Sequence, residues 1–110
     1  MAGKHKVDQF ERAERAWTIL VGCAGNRRST TYGQLAARMG VHPRVCRFFL
    51  GLIQDHCSKY SLPPLQSLVV NKRTGLPGGG YTGSLRDHHQ IEKAQNIVYD
   101  FQWEKIRNPF

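Results

Sequence analysis

From Thr31 to Ile53 the chain reads TYGQLAARMGVHPRVCRFFLGLI, and this stretch allows few folds. It holds two short amphipathic segments separated by Gly40-Val41-His42 and reopened by Pro43. Thr31, followed three residues later by Gln34, has the spacing of a capping box, in which each residue satisfies a backbone N–H of the other at a helix start. Leu35, Ala36 and Met39 then fall on one buried side, and Gly40 ends the helix. Pro43 suits a first helical position, because its fixed φ matches the helix and its missing N–H is not needed there. The following helix is expected to reach about Lys59, with Val45, Phe48, Phe49, Leu52, Ile53 and His56 inward. Arg44 and Arg47, three residues apart, share an outward face. Two helices joined by a short Gly-containing turn form a helix-turn-helix.

The flanking segments fit around that unit. From Val7 to Ala24 the apolar residues Phe10, Ala13, Trp17, Leu20 and Val21 recur at intervals of three and four, which predicts an amphipathic helix. Glu11, Arg12, Glu14 and Arg15 are on its other side, and Gly25 and Asn26 stop it. After Ser61-Leu62-Pro63-Pro64 breaks the helical period, Leu65 to Asn71 reads as a short strand. The turn-rich residues 71–80 and a returning strand at Tyr81 and Thr82 would complete a hairpin in the position of a wing. Asp87 is the expected cap of a last helix, His88 to about Asp100, with Ile91, Ala94, Ile97, Val98 and Phe101 as its apolar set. The aromatic ending, Phe101 to Phe110, should dock on the core. The expected fold is mainly α with a small β-hairpin: a winged helix-turn-helix with a C-terminal helix and aromatic tail. A length of 110 residues with eleven aromatics suits a single domain. Its core would span residues 7–83, and its terminal helix and tail 87–110.

Charge placement narrows the function. The formal net charge is +8, and between Arg27 and Arg73 eight basic residues stand against Asp55 alone, a local +7. These are Arg27, Arg28, Arg38, Arg44, Arg47, Lys59, Lys72 and Arg73. Such a concentration suits a polyanion, because each phosphate neutralised releases a condensed counterion. Three cysteines, Cys23, Cys46 and Cys57, contain no CxxC pair, so neither a disulfide framework nor a zinc knuckle is signalled. Neither His56 beside Cys57 nor the pair His88 and His89 has chelating spacing on a helix, so no metal or cofactor is expected. With no apolar run of about 18 residues and a charged N-terminal stretch, the expected setting is soluble and cytoplasmic.

Certain residues are more specific than this order of elements. Thr31-Tyr32-Gly33-Gln34-Leu35-Ala36, the Arg44-Val45-Cys46-Arg47 stretch, and Leu68-Val69-Val70-Asn71 with Thr74-Gly75-Leu76 and Gly78-Gly79-Gly80-Tyr81 lie in one order. From about Phe10 to Gly83, about two thirds of the chain, this pattern resembles the C-terminal domain of the alkylguanine-DNA alkyltransferase and alkyltransferase-like family. The resemblance implies a helix-turn-helix that enters the minor groove. Arg47 would fill the space of an extruded base, and Tyr32 would help displace a phosphate. A planar guanidinium can stack where a base was, and its charge favours the electronegative minor groove.

The chain departs from the family at the site of chemistry. Transferases of that kind carry Pro-Cys-His-Arg directly before the paired valines, where the His assists formation of the Cys thiolate. The aligned residues here are Leu65, Gln66, Ser67 and Leu68, so nucleophile and base are both replaced. The expectation is therefore no enzyme. Gln66, Ser67 and Tyr81 are the candidates to line a base pocket. The successive Phe48 and Phe49 also differ from the family's small residues; one should face the core and the other the aromatic tail. The leading functional expectation is a non-enzymatic, alkyltransferase-like protein bound to duplex DNA, in DNA repair or the sensing of altered or alkylated bases. Arg27, Arg28, Arg38, Lys72 and Arg73 would meet phosphates, and Arg44 and Arg47 the groove. The alternative is a protein-interaction module on the same scaffold, within a DNA-processing or phage-defence assembly, using the aromatic ending as an anchor.

Overall fold

The structure, a computed structural model, describes residues 8–77 and 88–110. Within them the chain is mainly helical: α1 (Gln9–Gly25), α2 (Tyr32–Met39), α3 (Cys46–Lys59) and α4 (His88–Asp100) surround one contiguous core. Two very short strands, β1 (Thr30–Thr31) and β2 (Val69–Val70), pair in parallel with Thr30 opposite Val69 and Thr31 opposite Val70. The returning wing strand expected at Tyr81 and Thr82, and the cap Asp87, lie outside the described residues. No helix among the described residues is long and apolar enough to cross a membrane.

Helix α1 starts where Asp8 accepts from the N–H groups of Phe10 and Glu11. Its buried stripe is Ala13, Ala16, Trp17, Leu20 and Ala24. The stripe is rotated from the expected one: Phe10 is 62% exposed and Val21 only half-buried, while two alanines take the inner face. Small side chains there let α1 sit at the centre, in contact with α2, α3 and α4. Arg15, expected on the outer side, reaches across and donates to the carbonyl of Met39 at 2.7 Å. A cation thereby satisfies an orphan acceptor at the C-terminal end of α2.

The capping box at α2 forms as its spacing predicts. Thr31 Oγ1 accepts from Gln34 N, and Gln34 Oε1 accepts from Thr31 N, both at 3.1 Å. Leu35, Ala36 and Met39 are buried. Gly40 adopts φ 71°, a left-handed conformation that glycine reaches without a Cβ penalty. Pro43 opens a single 3-10 turn, Pro43–Val45, whose start is capped by His42 Nδ1 accepting from Arg44 N. The chain then continues into α3, which buries Cys46, Phe49, Leu50, Ile53 and Cys57. Val45, Leu52 and His56 are half-buried, and Phe48 is exposed.

The first three helices close alike. In α1 Arg28 N donates to Cys23 O and Arg27 N to Ala24 O; in α2 Val41 N donates to Ala36 O and Gly40 N to Ala37 O. In α3 Leu62 N donates to Cys57 O and Ser61 N to Ser58 O. These paired bonds are Schellman closures, each needing one left-handed residue. Gly40 supplies it for α2, but Arg27 (φ 52°) and Ser61 (φ 55°) supply it for the other two, not Gly25 or Asn26. A non-glycine residue there costs about 1 kcal/mol or more. Arg27 also forms a 2.9 Å ion pair with Asp100, and its guanidinium packs over Tyr99.

Leu65–Leu68 winds into a 3-10 turn instead of extending the strand, with Ser67 N donating to Pro64 O. All residues from Leu65 to Val70 are buried, so their backbone groups need partners within the protein. Strand β1 offers only two residues before α2 begins, and the preceding segment satisfies itself by turning. Beyond β2, Asn71 N donates to Leu76 O and Gly75 N to Asn71 O, giving a compact turn. Gly75 takes φ 70°, and a Cβ there would stand 3.4 Å from the His88 ring of α4. On α4, Ile91, Ala94 and Val98 are buried while Ile97 is 56% exposed.

The aromatic ending is docked. Trp103 is buried, donates through Nε1 to Val98 O at 2.8 Å, and meets Trp17 edge-on at 5.5 Å. Asn108 donates to Glu14 O and Thr18 Oγ1, which fastens the tail along α1. Phe110 and Tyr60 pack with His56, whose ring also meets Trp17 at 5.7 Å. Burial, and then the charge of Lys59, hold the His56 imidazolium below its usual pKa of 6.5.

Two outcomes follow for stability. Arg27→Gly removes the left-handed strain and Arg27→Ala keeps it, while both lose the Asp100 pair; in urea titrations the glycine variant should be more stable than the alanine variant by about 1 kcal/mol. For His56, the unfolded chain takes up a proton at higher pH than the folded one. The melting temperature should therefore fall as the pH drops through 6.5, and His56→Phe should show a shallower fall between pH 7.5 and pH 5, measured by thermal melts.

Candidate nucleic-acid interface

The cations of the middle third do not all serve the same purpose. Arg44 is the second residue of the 3-10 turn and Arg47 the second residue of α3, and both are exposed. Arg38 lies in the last turn of α2, also exposed, so the segment from α2 to the start of α3 carries three outward arginines. Cys46, next to Arg47, places its Sγ 3.9 Å from the carbonyl oxygen of Tyr32, which holds the start of α3 against the start of α2.

Parallel pairing adds the next cations. Strand β1 leads directly into Tyr32 and β2 directly into Asn71, and Thr31 lies opposite Val70. Parallel strands end at the same edge, so Tyr32 and the turn bearing Lys72 and Arg73 emerge side by side. The turn is held by Asn71 Oδ1 accepting from Arg73 N at 2.8 Å and Thr74 Oγ1 accepting from Leu76 N at 3.1 Å. His88 Nε2 lies within hydrogen-bonding distance of Thr74 O. Lys72 and Arg73 are exposed on it. Arg44, Arg47, Tyr32, Lys72 and Arg73 thus belong to adjoining segments. Tyr32 itself is half-buried.

Arg27 and Arg28 precede β1 and so leave the sheet at its other end. Arg27 is engaged by Asp100 and Tyr99, so it competes with an internal partner for any phosphate. Arg28 is exposed. Lys59 lies near the far end of α3, with its ammonium 5.4 Å from the Tyr60 ring centroid. Sequence reasoning treated this basic run as a single field, whereas the fold divides it.

The pocket candidates lie inside the protein. Ser67 is wholly buried and Gln66 nearly so, and Tyr81 is outside the described residues. Among the described residues Gln66 Oε1 and Ser67 Oγ have no hydrogen-bond partner. Gln95 of α4 donates to the Ser67 carbonyl at 2.9 Å, which ties α4 over this turn. His88 and Gln95 contribute without a local signal for these contacts, because both act on segments far away along the chain.

The thiols are poor nucleophiles where they stand. Burial pushes Cys46 up to about 11, with nearby Arg12 pulling only weakly the other way. Burial also raises Cys57, against a smaller opposing effect of a backbone hydrogen bond at Leu65. Only a thiolate attacks efficiently, so both are held in the unreactive form at neutral pH. His56 points among aromatic rings while Cys57 is in the core, so the adjacent pair does not form a dyad. Among the described residues no three His, Cys, Asp or Glu side chains are grouped to hold a metal ion.

One residue differs from expectation on the exposed face of α3. Phe49 enters the core, but Phe48 does not reach the tail; it is 48% exposed, with the Arg47 guanidinium 5.0 Å from its ring centroid. The spacing of Cys46, Phe49, Ile53 and Cys57 would have revealed this, since Phe48 is off that stripe. Comparison with protein-family models, with curated proteins and with solved structures finds no match to this chain.

Thiol chemistry checks the arrangement. In Ellman titration of the native protein at pH 7, at most the half-buried Cys23 should react promptly, with Cys46 and Cys57 appearing only in guanidinium.

Proposed function

We propose that the protein binds duplex DNA without catalysis, as an alkyltransferase-like winged helix-turn-helix. The observation that carries this reading is the adjoining placement of exposed Arg44, Arg47, Lys72 and Arg73 around the start of α2, on a chain whose net charge is +8. Arg44 and Arg47 face the groove, and Arg28, Arg38, Lys72 and Arg73 meet phosphates. The turn after β2 acts as the base of the wing. Tyr32 presses on the backbone beside it, and Arg47 takes the space of a displaced base, as the family resemblance implies. Sensing of altered or alkylated bases belongs to the same reading.

Absence of catalysis rests on the replacement of the alkyl-accepting Cys and its His by Gln66 and Ser67, and on the raised thiols of Cys46 and Cys57. The alternative, a protein-interaction module, drew its support from the loss of the Pro-Cys-His-Arg residues together with the aromatic ending. With Trp103 buried and Phe101 and Phe110 packed on the core, that ending is an integral part of the fold.

Fluorescence anisotropy with a labelled duplex tests the proposal. Affinity should fall with salt along a log–log slope of about −3.6 to −5.4, the value for four to six phosphate contacts. Lys72→Glu with Arg73→Glu should flatten the slope by about 2, and Arg44→Glu with Arg47→Glu should abolish binding. Absence of binding to any duplex at low salt, or indifference to the Arg44 and Arg47 changes, rules the proposal out.

A further inference from the structure

Helix α4 holds the chain on both sides of β2. Gln95 donates to the Ser67 carbonyl before the strand, and His88 Nε2 lies within hydrogen-bonding distance of the Thr74 carbonyl after it. A carbonyl only accepts, so Nε2 carries the hydrogen. His88, Ile91, Gln95 and Val98 follow at intervals of three, four and three, which sets them on one side of the helix. Ile91 and Val98 are buried. The two polar side chains therefore alternate with apolar anchors that fix α4 to the core.

Four further hydrogen bonds close the turn after β2 on itself. Asn71 N donates to Leu76 O, Gly75 N to Asn71 O, Arg73 N to Asn71 Oδ1 and Leu76 N to Thr74 Oγ1. They set the shape of the turn but not its direction from the body of the protein. Strand β2 has only two residues, a short base for a turn that carries Lys72 and Arg73. His88 supplies a second point of attachment beyond both cations. A Cβ added at Gly75 would stand 3.4 Å from His88 Nε2 and 3.6 Å from its Cδ2, so the ring lies against the glycine as well as the neighbouring carbonyl. We infer that His88 is a positioning residue for DNA binding: by tying the Thr74 carbonyl to α4, it fixes Lys72 and Arg73 in the direction in which they meet phosphates. This rests on the DNA-binding reading above and adds how two of its cations are held. A cation on a loose turn loses conformational freedom when a phosphate fixes it, whereas a turn already held has less to lose.

A double-mutant cycle read by anisotropy with a labelled, fully paired duplex tests it. His88→Ala should weaken binding about fivefold, and should make less than about a 1.5-fold difference once Lys72→Ala and Arg73→Ala are in place. In an Arg38→Ala background the full loss should persist, because α2 is not held by His88. His88→Gln, whose amide still donates, should recover most of the affinity. Hydrogen exchange followed by NMR gives a readout without DNA: in His88→Ala the amides of Arg73 and Gly75 should exchange at least about threefold faster, with those of α2 and α3 and the melting temperature unchanged. If His88→Ala costs the same factor in both backgrounds, costs nothing, or leaves exchange in the turn as it was, the positioning role is overturned while DNA binding stands. If the wild-type protein binds no duplex, both readings fall.

Discussion

Two residue pairs of parallel strand, Thr30 with Val69 and Thr31 with Val70, govern where the surface chemistry falls. The pairing brings together segments almost forty residues apart. Because the strands run in the same direction, the start of α2 and the turn after β2 leave from one edge. Tyr32, Lys72 and Arg73 become neighbours as a result, and Cys46 adds the start of α3 through the carbonyl of Tyr32. The same pairing draws Leu65–Val70 into the interior, where Gln95 fixes the Ser67 carbonyl from α4. Without this contact the basic residues would be scattered over separate helices.

The arginines show how one residue type can do different physical work. Arg15 satisfies the end of α2 by donating to the Met39 carbonyl, and Arg27 holds a strained left-handed position through Asp100 and Tyr99. Arg44 and Arg47 form no ion pair with an acidic side chain among the described residues, and both are exposed. An ion pair between exposed groups is worth little in stability, so the value of Arg27 lies in where it anchors the chain, not in the strength of its bond. Phe48 is a similar case: it is 48% exposed, so the fold forgoes about half of the ~1.5–3 kcal/mol that full burial would contribute.

Much of the helical layout was legible in the residues. The Thr31–Gln34 box, Gly40 and Pro43 set their own helix boundaries, because capping and left-handed turning depend on residues only a few positions apart. The last helix follows its apolar period at Ile91, Ala94 and Val98 but not at Ile97, which is exposed, and the docked tail follows from its rings. Less of the candidate site was legible. Leu65–Leu68 has the composition of a strand, yet it turns because only two residues were available to pair with it. Phe10 lies at the margin of its stripe and the packing of α1 decided against it, whereas Phe48 is off the stripe of Cys46, Phe49, Ile53 and Cys57 and its exposure was legible in that spacing. Ser61 and Arg27 carry no sign of a left-handed backbone.

The sequence by itself determined where α2 begins and ends, where the chain reopens at Pro43, and that the positive charge is concentrated in the middle third. Those features arise from interactions within a single turn of chain, or from counting. Only the tertiary structure decided which cations share an edge and which are consumed in holding the fold. These depend on contacts between segments distant in sequence, whose pairing no local pattern specifies.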